Sequence, residues 1–115
     1  MKNTSIFYNP NCTKCRLTKE LLCKKGIEPI VIEYLDKPPS KTELLNLTNL
    51  GIQIKDLVRT HEDEWKASRL DINSASDEEI INTIIANPII LQRPIVIANG
   101  KAVIGRPPEN VLEIL

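Results

Sequence analysis

The chain has no run of 18 apolar residues, no excess of either charge and only one histidine. The first absence excludes a membrane-spanning helix, which needs about 20 predominantly apolar residues. The second argues against nucleic-acid binding through a general basic footprint, because 15 lysines and arginines are balanced by 15 acids. A local arginine cluster remains compatible with that balance. The third bears on metals. A structural zinc takes four ligands, and beyond Cys12 and Cys15 the chain offers only Cys23 and His61, at no recognisable spacing. No metal site is therefore expected. Internal repeats, low-complexity tracts and linkers are also missing, so residues 1–115 are expected to form one domain. The apolar run in "MKNTSIFYNP" is too short for a signal-peptide core. The expected location is the cytoplasm, a reducing compartment where a structural disulfide would not persist.

What is present reads as alternating strands and helices. "SIFY" (5–8) is β-prone and ends at the turn cluster "NPN". Leu17, Leu21 and Leu22 recur at helical spacing within 13–25, lysines gather late, and Gly26 stands where a helix would stop. "IVIEY" (30–34) is a second strand, which completes a βαβ unit with parallel strands and a right-handed crossover. Ser40 with Glu43, and Ser76 with Glu79, have capping-box spacing ahead of apolar helical runs. Short helices are expected near 54–59 and 62–68. "RPIVIA" (93–98) and "KAVIG" (101–105) flank Asn99-Gly100, a strong hairpin signal, and "RPPENVLEIL" predicts a closing α-helix with proline in its first turn. The order predicts an α/β domain with a mixed β-sheet flanked by helices, best matched by the thioredoxin-like architecture. An extra helical segment, about 36–92, lies between the second and third strands.

Two features carry chemistry. Cys12 opens the first helix directly after a strand-to-helix turn, where unpaired N–H groups and the helix dipole stabilise a thiolate. A two-unit fall in pKa there is worth roughly 2.7 kcal/mol. Cys15 lies one turn inward on the same side, with less access to those groups. The division makes Cys12 the nucleophile and Cys15 a resolving thiol, against the blander reading of two packing cysteines. Cys23, among lysines, reads as a bystander. The second feature is three arginines at element boundaries, in "LVRTHE" (Arg59), "QRPIVI" (Arg93) and "IGRPPE" (Arg106). Guanidinium forks match tetrahedral oxyanions. In a thioredoxin-like fold the proline opening the third strand, Pro94, is expected to be cis and to lie against the reactive cysteine, which would bring Arg93 near Cys12. His61, in a loop, has no role that the sequence specifies.

The motifs "YNPNCTKCR", "EPIVIEYLDKPPSKTELL", "GIQIKDLVRTHEDEWK", "ANPIILQRPIVI" and "VIGRPPENVLEIL" together resemble the glutaredoxin-coupled arsenate reductase family over nearly the whole chain. The resemblance implies reduction of arsenate to arsenite, with Cys12 as nucleophile and Arg59, Arg93 and Arg106 binding the oxyanion. Tyr8, Asn9 and Pro94 would be structural neighbours of the site. It further implies no tightly bound cofactor, glutathione as co-substrate, and glutaredoxin or thioredoxin as protein partner, with no nucleic acid or membrane. Tyr8 replaces a histidine of that pattern, and Cys15 a serine-like position. The resulting "CTKC" is similar to Spx-type regulators, redox sensors that bind the RNA polymerase α subunit and its C-terminal domain. "IGRPPE" leans toward the enzyme. A general thiol-disulfide oxidoreductase is a third reading.

Overall fold

The computed structural model describes residues 3–115 and divides the chain into two compact units: one of residues up to Lys37 and from Arg93 onward, the other Pro38–Gln92. The first unit holds a four-stranded sheet in the order β2-β1-β3-β4. These strands are β1 (Ser5–Phe7), β2 (Ile30–Ile32), β3 (Ile95–Ala98) and β4 (Lys101–Ile104). β1 pairs parallel with β2 and antiparallel with β3, and β3 pairs antiparallel with β4. This is the mixed sheet expected from the sequence, in thioredoxin-like order. The central strands β1 and β3 are almost wholly apolar because both of their faces are covered, whereas Ile30 and Val31 on the edge strand β2 are exposed.

Helix α1 (Thr13–Lys24) crosses between β1 and β2. Its buried stripe is Cys15, Thr18 and Leu22, at i, i+3 and i+7, while Leu17 is turned to solvent. Gly26 ends it at φ +78°, where the Gly26 N–H donates to Cys23 O and the Ile27 N–H to Leu22 O, both at 3.0 Å. That pair of bonds is a Schellman motif, and Ile27 then packs on the same cluster as Leu22. The cluster joins Ile6, Leu22, Val96, Ala98, Val111 and Ile114, which is how sheet, helix and C-terminal segment become one body.

Two expectations need correction here. The second strand stops at Ile32 rather than residue 34: its partner β1 ends at Phe7, the Tyr8 N–H makes the last bond to Ile32 O at 2.9 Å, and Tyr34 enters a turn. The closing segment is a 3₁₀ helix, Pro108–Ile114, not an α-helix. Pro107 and Pro108 have no N–H to donate. A three-residue period also aligns Pro108, Val111 and Ile114 on the buried side. At the hairpin Asn99 (φ 54°) and Gly100 (φ 75°) both adopt positive φ, as a type I′ turn requires.

The second unit is helical. α2 (Lys41–Asn49) and α4 (Asp77–Ala86) each start on a complete capping box, from Ser40 and Glu43 and from Ser76 and Glu79. Short 3₁₀ turns at Ile54–Leu57 and Pro88–Ile90, with α3 (Asp63–Ser68) between them, complete it. The antiparallel bridge Val58–Leu91 ties the middle of this unit to its C-terminal end, with the Arg59 N–H on Ile90 O and the Gln92 N–H on Leu57 O, both 2.7 Å. No helix among the described residues is long and apolar enough to cross a membrane.

Candidate active site

At the C-terminal end of β1 the loop Tyr8–Cys12 is folded by the buried Asn9. Its Oδ1 accepts the Asn11 N–H at 2.9 Å, and its carbonyl accepts the Cys12 N–H at 3.0 Å. An Asx turn next to Pro10 thus delivers Cys12 to the N-cap of α1, with extended backbone (φ −99°, ψ 120°). The Cys12 sulfur therefore faces the free N–H groups of the first turn, and no acidic residue occupies that turn.

The antiparallel pair β3–β4 supplies the other wall. Arg93 precedes β3 and Arg106 follows β4; Arg93–Pro94 and Arg106–Pro107 are both cis peptides, as expected for Pro94. The two ends are stitched by the Gly105 N–H donating to Pro94 O at 2.9 Å and by Arg106 Nε donating to Arg93 O at 2.7 Å. So held, Arg106 points Nη2 at the Cys12 sulfur, 3.7 Å away. Gly105 permits the close approach: a Cβ there would lie 2.9 Å from Pro94 Cγ and 2.9 Å from Thr18 Oγ1. Within the first unit the structure thus gathers Cys12, Cys15, Arg93 and Arg106. Arg59 belongs to the second unit, where its Nε pairs with Glu62 Oε1 at 3.2 Å and its Nη2 meets His61 Nε2 at 3.1 Å. Tyr8 is half-buried with the Lys19 ammonium 5.4 Å above its ring, and Cys23 is exposed.

The ArsC family model matches residues 7–114. The chain belongs to the ArsC family. It is 45% identical over 116 residues to protein YfgD of Escherichia coli strain K12, covering 99% of this chain and 98% of that protein. It is 44% identical over 112 residues to the arsenate reductase of Haemophilus influenzae, covering 96% and 97% of the two chains. Among solved structures, that of the arsenate reductase from Vibrio cholerae superposes with a TM-score of 0.93 at 41% identity, covering 98% of each chain. The mixed sheet with its helices is the thioredoxin-like fold of these ArsC structures.

In this ArsC-family chain the two thiols are driven in opposite directions. Burial pushes the Cys12 thiol up, but the Cys15 N–H, the Cys15 thiol and the Arg93 guanidinium outweigh it, and Cys12 ionises below its ordinary value. The sulfur falls short of full capping geometry; a thiolate is large and polarisable, so the N-terminal amides still stabilise it. Burial also dominates at Cys15, whose thiol is pushed up to about 12, helped by the adjoining Cys12 sulfur and opposed by a backbone contact from Asn9. Both cysteines are free thiols. Among the described residues no three His, Cys, Asp or Glu side chains cluster to hold a metal ion.

Sequence reasoning passes over Tyr34 and Thr18. Both are fully buried, and Tyr34 lies beside Arg93 and the two thiols. The available signal was position: Tyr34 follows the C-terminal end of a parallel strand, the edge at which open α/β sheets take ligands. Thr18 offered none, because a hydroxyl inside a helix gives no sign of which face it occupies.

Proposed function

We propose that the chain reduces arsenate to arsenite, with Cys12 as the nucleophile. The observation that carries this reading is a thiol at a helix N-terminus with the Arg106 guanidinium 3.7 Å from its sulfur, where its neighbours lower its pKa. Arsenate binds over the first turn of α1, its oxygens taken by Arg93 and Arg106, with Arg59 as the third arginine of the family pattern. The Cys12 thiolate attacks arsenic, an S–As bond forms, and one oxygen leaves as water after protonation. Charge moving onto the remaining oxygens is held by the guanidinium groups; the Arg106 group, tied through Nε to Arg93 O, supports this reading because it needs little reorganisation.

The second stage needs two electrons. Glutathione displaces a second oxygen as water and forms its own S–As bond. A glutaredoxin thiolate attacks the glutathione sulfur, that S–As bond breaks with its electron pair left on arsenic, a glutaredoxin–glutathione disulfide departs, and water releases arsenite from the Cys12 sulfur. Cys15 provides an internal route: its sulfur attacks Cys12, the S–As bond breaks toward arsenic, and a Cys12–Cys15 disulfide remains for thioredoxin or glutaredoxin to exchange. Repulsion from the Cys12 thiolate, one of the forces holding Cys15 protonated, vanishes once that sulfur is bonded to arsenic.

The test is arsenate-dependent oxidation of NADPH in a mixture of glutathione, glutaredoxin and glutathione reductase. Turnover that disappears in Cys12→Ser supports the reading. Silence of the wild-type chain, together with its retention on immobilised RNA polymerase α C-terminal domain, would replace it with the regulator. Cys15→Ser is expected to keep turnover with glutathione and glutaredoxin and to lose turnover with thioredoxin. Loss with both reductants would make the internal disulfide obligatory.

A further inference from the structure

Asn9 is buried, a placement that costs a carboxamide free energy unless its polar atoms are bonded. The loop ahead of α1 supplies the bonds. Asn9 Oδ1 accepts the Asn11 N–H at 2.9 Å, which closes an Asx turn. The Asn9 carbonyl accepts the Cys12 N–H at 3.0 Å, which closes a β-turn over residues 9–12 with Pro10 in its second place. Both turns start at Asn9, and the outer one ends on the reactive cysteine.

With the Cys12 N–H on Asn9 O, and the Arg16 N–H on Cys12 O at 3.1 Å, three amides remain at the head of α1. They belong to Thr13, Lys14 and Cys15, and no carbonyl of the helix reaches them. The Cys12 sulfur and an incoming anion draw on these three. Aspartate closes an Asx turn as asparagine does, so the turn alone gives no reason for a carboxamide. The surroundings do. The ionisable groups facing Cys12 are Cys15 on α1, Arg93 ahead of β3, Arg106 beyond β4 and Tyr34 beyond β2, and none of the four is a carboxylate. Asn9 Oδ1 sits on the N–H of the residue next to Cys12, where a second negative charge would disfavour the thiolate. We propose that Asn9 is the positioning residue of Cys12, and that it has to be an uncharged acceptor. The carboxamide fixes the turn that seats the sulfur on the open amides; a carboxylate would fix the same turn and oppose the thiolate. This assignment rests on the reading of Cys12 as the nucleophile of an oxyanion site.

Three variants separate the bond from the charge. Asn9→Ala removes the acceptor, Asn9→Ser keeps a shorter neutral one, and Asn9→Asp keeps the acceptor and adds charge. The rate of Cys12 alkylation by iodoacetamide, followed against pH in a Cys23→Ser background, reports the thiolate without any arsenate present. Asn9→Ala is expected to move the midpoint upward, to slow alkylation several-fold at neutral pH, and to raise the arsenate KM several-fold with kcat less affected. Asn9→Ser should recover part of each loss, because a hydroxyl makes the same turn more weakly. Asn9→Asp should also move the midpoint upward and slow alkylation several-fold at neutral pH. An unmoved midpoint and KM in Asn9→Ala overturn the positioning role, and so does a serine no better than alanine. A wild-type midpoint in Asn9→Asp overturns the requirement for an uncharged acceptor. If Asn9→Ala does not fold, Asn9→Ser is compared with wild type directly: a smaller upward shift supports the role and no shift overturns it. Failure of arsenate turnover in the wild-type chain would remove the substrate assignment alone, because the alkylation midpoints are read without it.

Discussion

Cys12 and Cys15 lie three residues apart at the head of α1, yet their thiols are pushed in opposite directions because they meet different neighbours. Cys12 caps the helix beside two guanidinium groups, and Cys15 sits beneath it with no exposed surface. Brief treatment of the native reduced chain with iodoacetamide near neutral pH is expected to label Cys12 and spare Cys15, whose thiol is held up to about 12; peptide mapping checks this. Equal labelling of the pair would remove the electrostatic basis of the proposal that Cys12 is the nucleophile. Arg106→Lys keeps the charge and loses the fork that bonds both Arg93 O and the Cys12 sulfur. Charge-assisted bonds of this kind contribute about 1.5–3 kcal/mol each. The arsenate KM should therefore rise roughly tenfold or more, a value that steady-state kinetics gives directly.

The elements owe their ends to local chemistry and their packing to a few buried side chains. The Ser40 hydroxyl accepts the Glu43 N–H at 3.1 Å, and the Ser76 hydroxyl accepts the Glu79 N–H at 3.1 Å, and in each the serine N–H donates in return to the glutamate carboxylate. Ser40→Ala and Ser76→Ala should each cost about 0.5–2 kcal/mol in urea unfolding. Leu22 joins α1 to the sheet and the C-terminal 3₁₀ helix, and Leu22→Ala should cost roughly 2–5 kcal/mol. These elements were legible in the sequence because their signals are local: the capping serines, Gly26 after the last turn of α1, and Asn99-Gly100 between two β-prone runs. The C-terminal segment was misread because "ENVLEIL" has good helix formers, whereas its winding follows the buried line Pro108, Val111 and Ile114. Propensity ranks residues one at a time; the cluster receives them three apart.

At the scale of the whole molecule, the opposed thiols give stability a pH dependence with a change of sign. The folded pKa of Cys12 is depressed, so its contribution is fully present above the ordinary thiol pKa of about 8.5 and is lost as pH falls through the folded value. That of Cys15 is raised to about 12, so its contribution is fully present below the ordinary value and is lost as pH rises toward 12. For these two groups the stability of the reduced chain should rise toward about pH 8.5 and fall beyond it. Urea unfolding across this range, compared with Cys15→Ala, isolates the alkaline limb. A variant that keeps the same alkaline slope would assign that limb to other groups.

The sequence by itself determined the order of elements, the caps, the hairpin, the cysteine at the head of α1 and the arginine contexts on which the resemblance to the family was drawn. Each is written within a few consecutive residues, or in motifs that keep their order along the chain. Only the tertiary structure decided that Arg93 and Arg106 converge on Cys12, that Gly105 must have no side chain for β4 to approach Pro94 and Thr18, and that Tyr34 lies buried against Arg93. Those relations join residues just beyond the ends of β2 and β4, just ahead of β3, and at the head of and within α1, up to 94 positions apart. Burial and charge act through distance in space, which the pairing of the sheet sets and the linear order does not.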